Sequence, residues 1–293
     1  MKSLRITDKM VLGTAQFGMD YGIANFTGKP TKKEVFSILS LAWENGIRCF
    51  DTAPGYGSEK VLGEFIASNG LQNAARVLTK IPTLGGNKSS DYLQSIRTSV
   101  EASLNNLGCP VDVLFFHNSA DSILMLEDPF FFENLLHVYP VTTLGVSVYE
   151  PQDVEKLSGC QFELAFQFPF NVLERRFENV VMAKNKRYAR SIFLQGLLTS
   201  KNGLRPDVPQ PLLSLQKEYF DKLAEHQLNP VQFAVSFVAL NDAIDYFLFG
   251  VDSKNQMQEI LDFEPHDVKY MGIIDAVQIN SDKKWLDPRS WFK

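Results

Sequence analysis

Apolar and polar positions along the chain fall into two alternating kinds of segment. Short, nearly continuous apolar runs occur at Met10–Thr14, Arg48–Thr52, Arg76–Lys80, Val111–His117, Thr142–Val148, Leu164–Phe168, Arg190–Gln195 and Asp245–Val251. Runs of this length without strict alternation suit parallel strands covered on both faces. The longer segments between them carry helix signals. Thr31 and Glu34 have capping-box spacing, Val35, Ile38, Leu39 and Ala42 form an apolar stripe, and Gly46 offers a left-handed stop. Asn229-Pro230 reads as a cap followed by proline in the first helical turn, ahead of Phe233, Val235, Phe237 and Val238. Ser89–Leu107, Asp121–Val138, Glu150–Leu157 and Pro211–Ala224 fill most of the other gaps. Eight such alternations with no polar linker predict an α/β fold, a single-domain (β/α)8 TIM barrel spanning residues 1–293. A doubly wound sheet is the competing reading, but Gly13, Gly18 and Gly22 have the wrong spacing for a dinucleotide-binding G-x-G-x-x-G.

Composition narrows the function classes. With 45% hydrophobic and 22% charged residues, the chain can afford a sizeable core. A formal charge of −5 gives no basic footprint, so neither nucleic acid nor an anionic membrane is expected as a partner. Cys49, Cys109 and Cys160 are an odd set without CxxC pairing and read as reduced core thiols. The first nine residues lack the apolar core of a signal peptide, and no run approaches a membrane span. The expected location is cytoplasmic.

Ionisable groups close consecutive strand candidates. Asp51 ends the second, Lys80 the third and His117 the fourth, while Tyr56 follows Asp51 on the next loop. In a barrel the carboxyl ends of all strands open on one face, so these four converge there. A phenol with an ordinary pKa of ~10 is a poor acid or base near neutrality. A nearby ammonium lowers that value, and a carboxylate holds the ammonium charged and in place. Histidine can orient a carbonyl or share in proton delivery. The set suits a reaction that protonates a developing alkoxide, as in carbonyl reduction. Taken singly, Asp51 reads as a helix cap, Lys80 as a solvated strand end and His117 as a satisfied buried histidine. Their joint order makes the difference.

Leu12-Gly13-Thr14-Ala15-Gln16-Phe17-Gly18, Phe50-Asp51-Thr52-Ala53-Pro54-Gly55-Tyr56-Gly57 with Leu62-Gly63, Thr79-Lys80 and Phe116-His117-Asn118 together resemble the aldo-keto reductase superfamily. The resemblance covers about Val11 to Ile260 and implies a barrel oxidoreductase using NADP(H) or NAD(H) without a Rossmann fold. It implies Tyr56 as general acid/base, Lys80 and Asp51 as the groups that tune it, and His117 as the group positioning the carbonyl. It places Gly13 and Thr14 beside the cofactor, and Ser147 and Gln167 on the nicotinamide carboxamide. Val148 stands where the family usually has asparagine. Either Phe193 or Gln195 would meet the nicotinamide ring. Gly250, Val251, Ser253, Lys254, Gln256 and Glu259 correspond to the segment that holds the adenosine phosphate. Gln256 replaces a frequent arginine and Ile260 a frequent asparagine, which removes a charged clamp on a 2′-phosphate. Ser253 and Lys254 can compensate, so NADP(H) is favoured, with NAD(H) the alternative.

Other features have plainer readings. No HxxxH, HExxH or paired CxxC occurs, so no metal is expected, and His137, His226 and His266 read as surface residues. Pro129-Phe130-Phe131-Phe132 reads as helix–barrel packing. The segment 197–210 is either an active-site loop or an ordinary surface loop. The tail of about 280–293 either lines the substrate pocket or simply docks. The expected partner is a small carbonyl compound, possibly sugar-like; the sequence is silent on oligomeric state. Two other readings are a non-catalytic, cofactor-binding redox-sensing or structural barrel, and a barrel lyase or isomerase acting on a sugar.

Overall fold

The computed structural model describes residues 5–85, 91–182, 184–201, 203–263, 273–277, 279 and 281–292. Eight strands, β1 (Met10–Gly13), β2 (Cys49–Asp51), β3 (Arg76–Ile81), β4 (Val111–Phe116), β5 (Val141–Ser147), β6 (Leu164–Pro169), β7 (Lys186–Arg190) and β8 (Tyr246–Phe249), close into a barrel in chain order. All pairings are parallel, from Gly13 beside Asp51 round to Met10 beside Phe247. Around it run α1 (Lys32–Glu44), α2 (Glu59–Ser68), α3 (Asp91–Leu107), α4 (Pro129–Val138), α5 (Pro151–Glu155), α6 (Gln210–Glu225), α7 (Pro230–Ala239) and α8 (Lys254–Leu261).

Alternation along the strands separates two apolar sets. Val11, Cys49, Leu78, Val113, Phe115, Ala165, Tyr188 and Leu248 fill the barrel. Leu12, Phe50, Val77, Leu114, Val146 and Phe166 face outward and pack with the helices in the larger core. Strands buried on both faces explain the lack of sequence alternation. The predicted caps form: Thr31 accepts from the Glu34 N–H while Glu34 accepts from the Thr31 N–H at 2.7 Å, and Asn229 accepts from the Val231 and Gln232 N–H groups. Gly46 has φ +92°. The Ser89 start predicted for α3 lies outside the described residues, as does His266.

One strand was misplaced by its hydrophobicity. The expected run Arg190–Gln195 is not a strand; β7 is the polar stretch Lys186–Arg190. All five residues pair with β6 and the buried Tyr188 and Ala189 also pair with β8, while Arg187 sits on the lower rim with Asp245 at 3.2 Å. The apolar Ile192-Phe193-Leu194 instead enters a turn, with positive φ at Ser191, Leu194 and Gln195. The described residues between β6 and β7 form turns rather than a helix, so the alternation is less regular than the sequence suggests. The segment 121–138 is also broken, into a 3₁₀ turn, a short helix and α4.

Candidate active site

Period-two alternation fixes which groups reach the upper end of the barrel interior. Two residues beyond the interior Cys49, Leu78, Phe115, Ala165 and Tyr188 come Asp51, Lys80, His117, Gln167 and Arg190. Ser147 lies beside Gln167 in the β5–β6 register. All six line one cavity of about 650 Å³ that also takes in Tyr56.

Lys80 is the structural centre of this layer. Its Nζ donates to Asp51 Oδ1 and Oδ2 at 2.8 and 2.6 Å and to the Thr52 carbonyl at 2.9 Å. Gln167 Nε2 donates to Asp51 Oδ1 at 2.7 Å. The ion pair is almost sealed, with Lys80 1% and Asp51 3% exposed. Burial pulls the Lys80 ammonium below its ordinary pKa, against the attraction of Asp51. Such a pair demands its partners, because either charge alone in the interior is costly.

Tyr56 stands at the end of a 3₁₀ turn above the pair, with Lys80 Nζ 4.9 Å from its ring centre. The His117 ring meets it edge-on, with centroids 6.1 Å apart. Burial first, then the Asp51 charge, raises the phenol above its usual pKa. This runs against the expectation that Lys80 lowers it: burial outweighs the nearby ammonium, and the phenol is kept protonated. Burial first, then the Lys80 charge, lowers His117 to about 4, so its ring is neutral at neutral pH.

The Tyr56 turn is held from below. Thr14 Oγ1 donates to the Asp51 carbonyl at 2.9 Å, and Ser58 Oγ bridges Thr14 and Thr52 at 2.8 and 3.0 Å. Gly18 packs against it so closely that an added Cβ would overlap the Tyr56 carbonyl oxygen and the Gly57 and Ser58 backbone. Gly18→Ala is therefore expected to displace the Tyr56 turn. It should cost about 1–3 kcal/mol of stability and lower turnover more than cofactor affinity; urea unfolding with steady-state kinetics reads both.

The residues predicted for a cofactor fall into two groups. Gly13, Thr14, Ser147, Gln167, Phe193, Gln195, Gly250, Val251, Gln256 and Glu259 line the cavity. Phe193 does so from a turn and not from a strand, for the reason given above. Ser253 and Lys254 do not line it. The Ser253 hydroxyl caps α8 by accepting from the Gln256 N–H at 3.3 Å, and Lys254 is exposed. Gln256 Oε1 in turn accepts from the Asp252 N–H at 2.7 Å.

Several lining residues escaped the sequence reading: Tyr21, Asn25, Tyr149, Arg190, Asp252 and Arg289. Asp252 accepts from Asn25 Nδ2 at 3.3 Å, and burial raises its carboxyl to about 6. Arg190 would have been found had β7 been placed correctly, since it then completes the layer of inward strand ends. Arg289 shows that the tail both lines the cavity and docks, because Trp291 is 3% exposed and its indole N–H donates to the Trp285 carbonyl. The 197–210 loop likewise does both. Thr199, Ser200 and Lys201 line the cavity, while Gln216 Nε2 donates to the Leu197 and Ser200 carbonyls and the Arg205 N–H to that of Ile23.

Comparison with known proteins decides the family. The aldo/keto reductase family model matches residues 9–279. The chain belongs to the aldo/keto reductase family. Norsolorinic acid reductase stcV of Emericella nidulans is 32% identical over 151 residues, 47% of this chain and 38% of that protein. Aldo-keto reductase YhdN of Bacillus subtilis is 24% identical over 263 residues, 80% of this chain and 79% of that one. Matches to the first three curated relatives span 54%, 38% and 36% of those proteins, about half their length or less. The barrel superposes on aldo-keto reductase AKR11C1 from Bacillus halodurans with a TM-score of 0.75, at 16% identity and 95% coverage of both chains. Among the described residues no cluster of histidine, cysteine and carboxylate is placed to hold a metal, and no helix is long and apolar enough to cross a membrane.

Proposed function

We propose that this aldo/keto reductase reduces an aldehyde or ketone to an alcohol, with Tyr56 delivering the proton. The observation that carries the reading is the sealed Asp51–Lys80 pair beneath Tyr56, with His117 edge-on beside it. A nicotinamide cofactor, when bound, supplies hydride to the carbonyl carbon. The floor of the cavity fits its carboxamide: Ser147 and Gln167 are 3% and 1% exposed. Neither the Ser147 hydroxyl nor Gln167 Oε1 has a protein partner among the described residues. Gly250, Val251, Gln256 and Glu259 would hold the adenosine end.

Tyr56 donates to the carbonyl oxygen as charge develops there. His117 offers a second hydrogen bond from its neutral ring and fixes the carbonyl's direction. Lys80 lies close enough to steady the phenolate left behind, and Asp51 with Gln167 keeps the ammonium in place. The enzyme is not exhausted by one turnover, because the proton lost from Tyr56 returns from solvent through the open side of the cavity.

The adenosine end favours NAD(H), against the sequence expectation of NADP(H). Ser253 is occupied as a cap and Lys254 is exposed and not among the residues lining the cavity, whereas Asp252 lines it. A carboxylate accepts from ribose hydroxyls and repels a 2′-phosphate. Asp252 ionises as pH rises through about 6, so discrimination against NADPH is expected to grow from pH 5 to pH 8. Fluorescence titration with both cofactors reads this. Asp252→Asn should narrow the NADPH-to-NADH difference at the upper pH. Equal affinities in the parent protein at both pH values would remove Asp252 as the selector.

A further inference from the structure

We propose that Arg190 anchors an anionic group on the substrate, making the preferred substrate an aldehyde or ketone that carries a carboxylate or phosphate. This rests on the carbonyl-reducing reading above and adds the substrate's charge to it. Arg190 ends β7 opposite Pro169 of β6, in the same layer of inward strand ends as Asp51, Lys80, His117 and Gln167.

Charge accounting singles it out among the cavity's shielded cations, since Lys201, which also lines the cavity, is exposed to solvent. Lys80 is neutralised by Asp51, and Arg289 by a two-pronged bond to Asp287 at 2.9 and 2.6 Å. Arg187, on the same strand, pairs with Asp245. Arg190 forms no ion pair among the described residues. Among the described residues its five N–H donors make two long hydrogen bonds, 3.3 Å to Ser191 Oγ and 3.4 Å to the Val148 carbonyl. Asp287, the carboxylate that feels its charge, is already held by Arg289.

The guanidinium is held by an aromatic ring instead. Arg190 Cζ lies 4.0 Å and Arg289 Cζ 3.2 Å from the centre of the Tyr149 ring. Stacking holds an arginine while leaving its donors for a carboxylate or phosphate. A half-buried cation with unspent donors is costly to maintain, and an anionic ligand offsets that cost. Arg190 shares the layer of inward strand ends with Lys80 and His117, which puts it at the reacting end of the cavity.

The test uses matched pairs: succinic semialdehyde against its methyl ester, and glyceraldehyde phosphate against glyceraldehyde. The parent enzyme should prefer the charged member of at least one pair, and the pair showing the larger preference separates carboxylate from phosphate. In Arg190→Gln the charged-to-neutral ratio of kcat/KM should fall by about tenfold to a hundredfold, with Arg190→Lys between. Calorimetric titration of succinate and of inorganic phosphate into the cofactor-saturated protein gives a readout free of turnover. At least one should bind the parent and be lost in Arg190→Gln, with the fold checked by circular dichroism. No charge preference together with no anion binding would overturn the proposal. So would a loss in Arg190→Gln that is equal for both members and matched by weaker cofactor binding, which would assign Arg190 to the cofactor. Failure to bind cofactor or reduce any member would instead sink the carbonyl-reducing reading, leaving the anion titration to judge Arg190 on the free protein.

Discussion

Tyr56→Phe is expected to lower kcat by about a hundredfold to ten-thousandfold, the range for loss of a positioned proton donor. The substitution removes one oxygen from a ring that is otherwise held by its turn, by the edge of His117 and by the Lys80 ammonium. None of those contacts needs the hydroxyl, so stability and cofactor affinity should stay close to the parent values. The phenol is held protonated by burial and by the Asp51 charge, which suits it to give a proton and not to take one from the free enzyme. Steady-state kinetics with a fluorescence titration of cofactor separates the two effects. A variant with near-parental kcat would remove Tyr56 from the proton path.

Lys80→Met is expected to be the more damaging change to the fold. It strips the ammonium from a carboxylate that is 3% exposed and leaves Asp51 with only Gln167 as a side-chain donor. Breaking one side of a buried pair costs about 3–5 kcal/mol. The double variant Asp51→Asn with Lys80→Met leaves no uncompensated charge, so much of that loss should return. Activity should not return, because nothing then steadies the Tyr56 phenolate. Urea unfolding of the single and double variants closes a mutant cycle around the pair. Lys80→Met with parental stability would contradict the assignment of the buried pair as a support of the fold.

The sequence made the barrel legible because strands covered on both faces leave continuous apolar runs, and because three ionisable groups end consecutive runs. It misread β7 for the converse reason. Lys186, Arg187 and Arg190 are polar at the two rims of the barrel, where a strand end meets solvent or ligand, and only Tyr188 and Ala189 between them are buried. The apolar Ile192–Leu194 instead leads into the following turn, where Ile192 and Leu194 are buried and Phe193 lines the cavity. That single shift hid Arg190. Tyr149 and Arg289 were hidden differently, since a stacked pair from a strand end and a distant tail has no local pattern. The roles expected of Ser253 and Lys254 rested on residue type alone. Cap geometry decides that the Ser253 hydroxyl faces the helix backbone, while Asp252 one residue earlier faces the cavity. The direction of the Tyr56 shift was also beyond the sequence, because it follows from how deeply the phenol is buried and then from the Asp51 charge beside it.

The central claim is transfer of hydride from a nicotinamide to a carbonyl carbon with Tyr56 supplying the proton. It is tested most directly by supplying cofactor with both hydrogens of the reactive carbon replaced by deuterium, together with an aldehyde, and weighing the alcohol formed. The expected result is one deuterium per product molecule, bound to carbon, with equal oxidation of cofactor and loss of the signal in Tyr56→Phe. Product free of deuterium, or substrate rearranged without cofactor consumption, would contradict it and turn the site toward isomerisation.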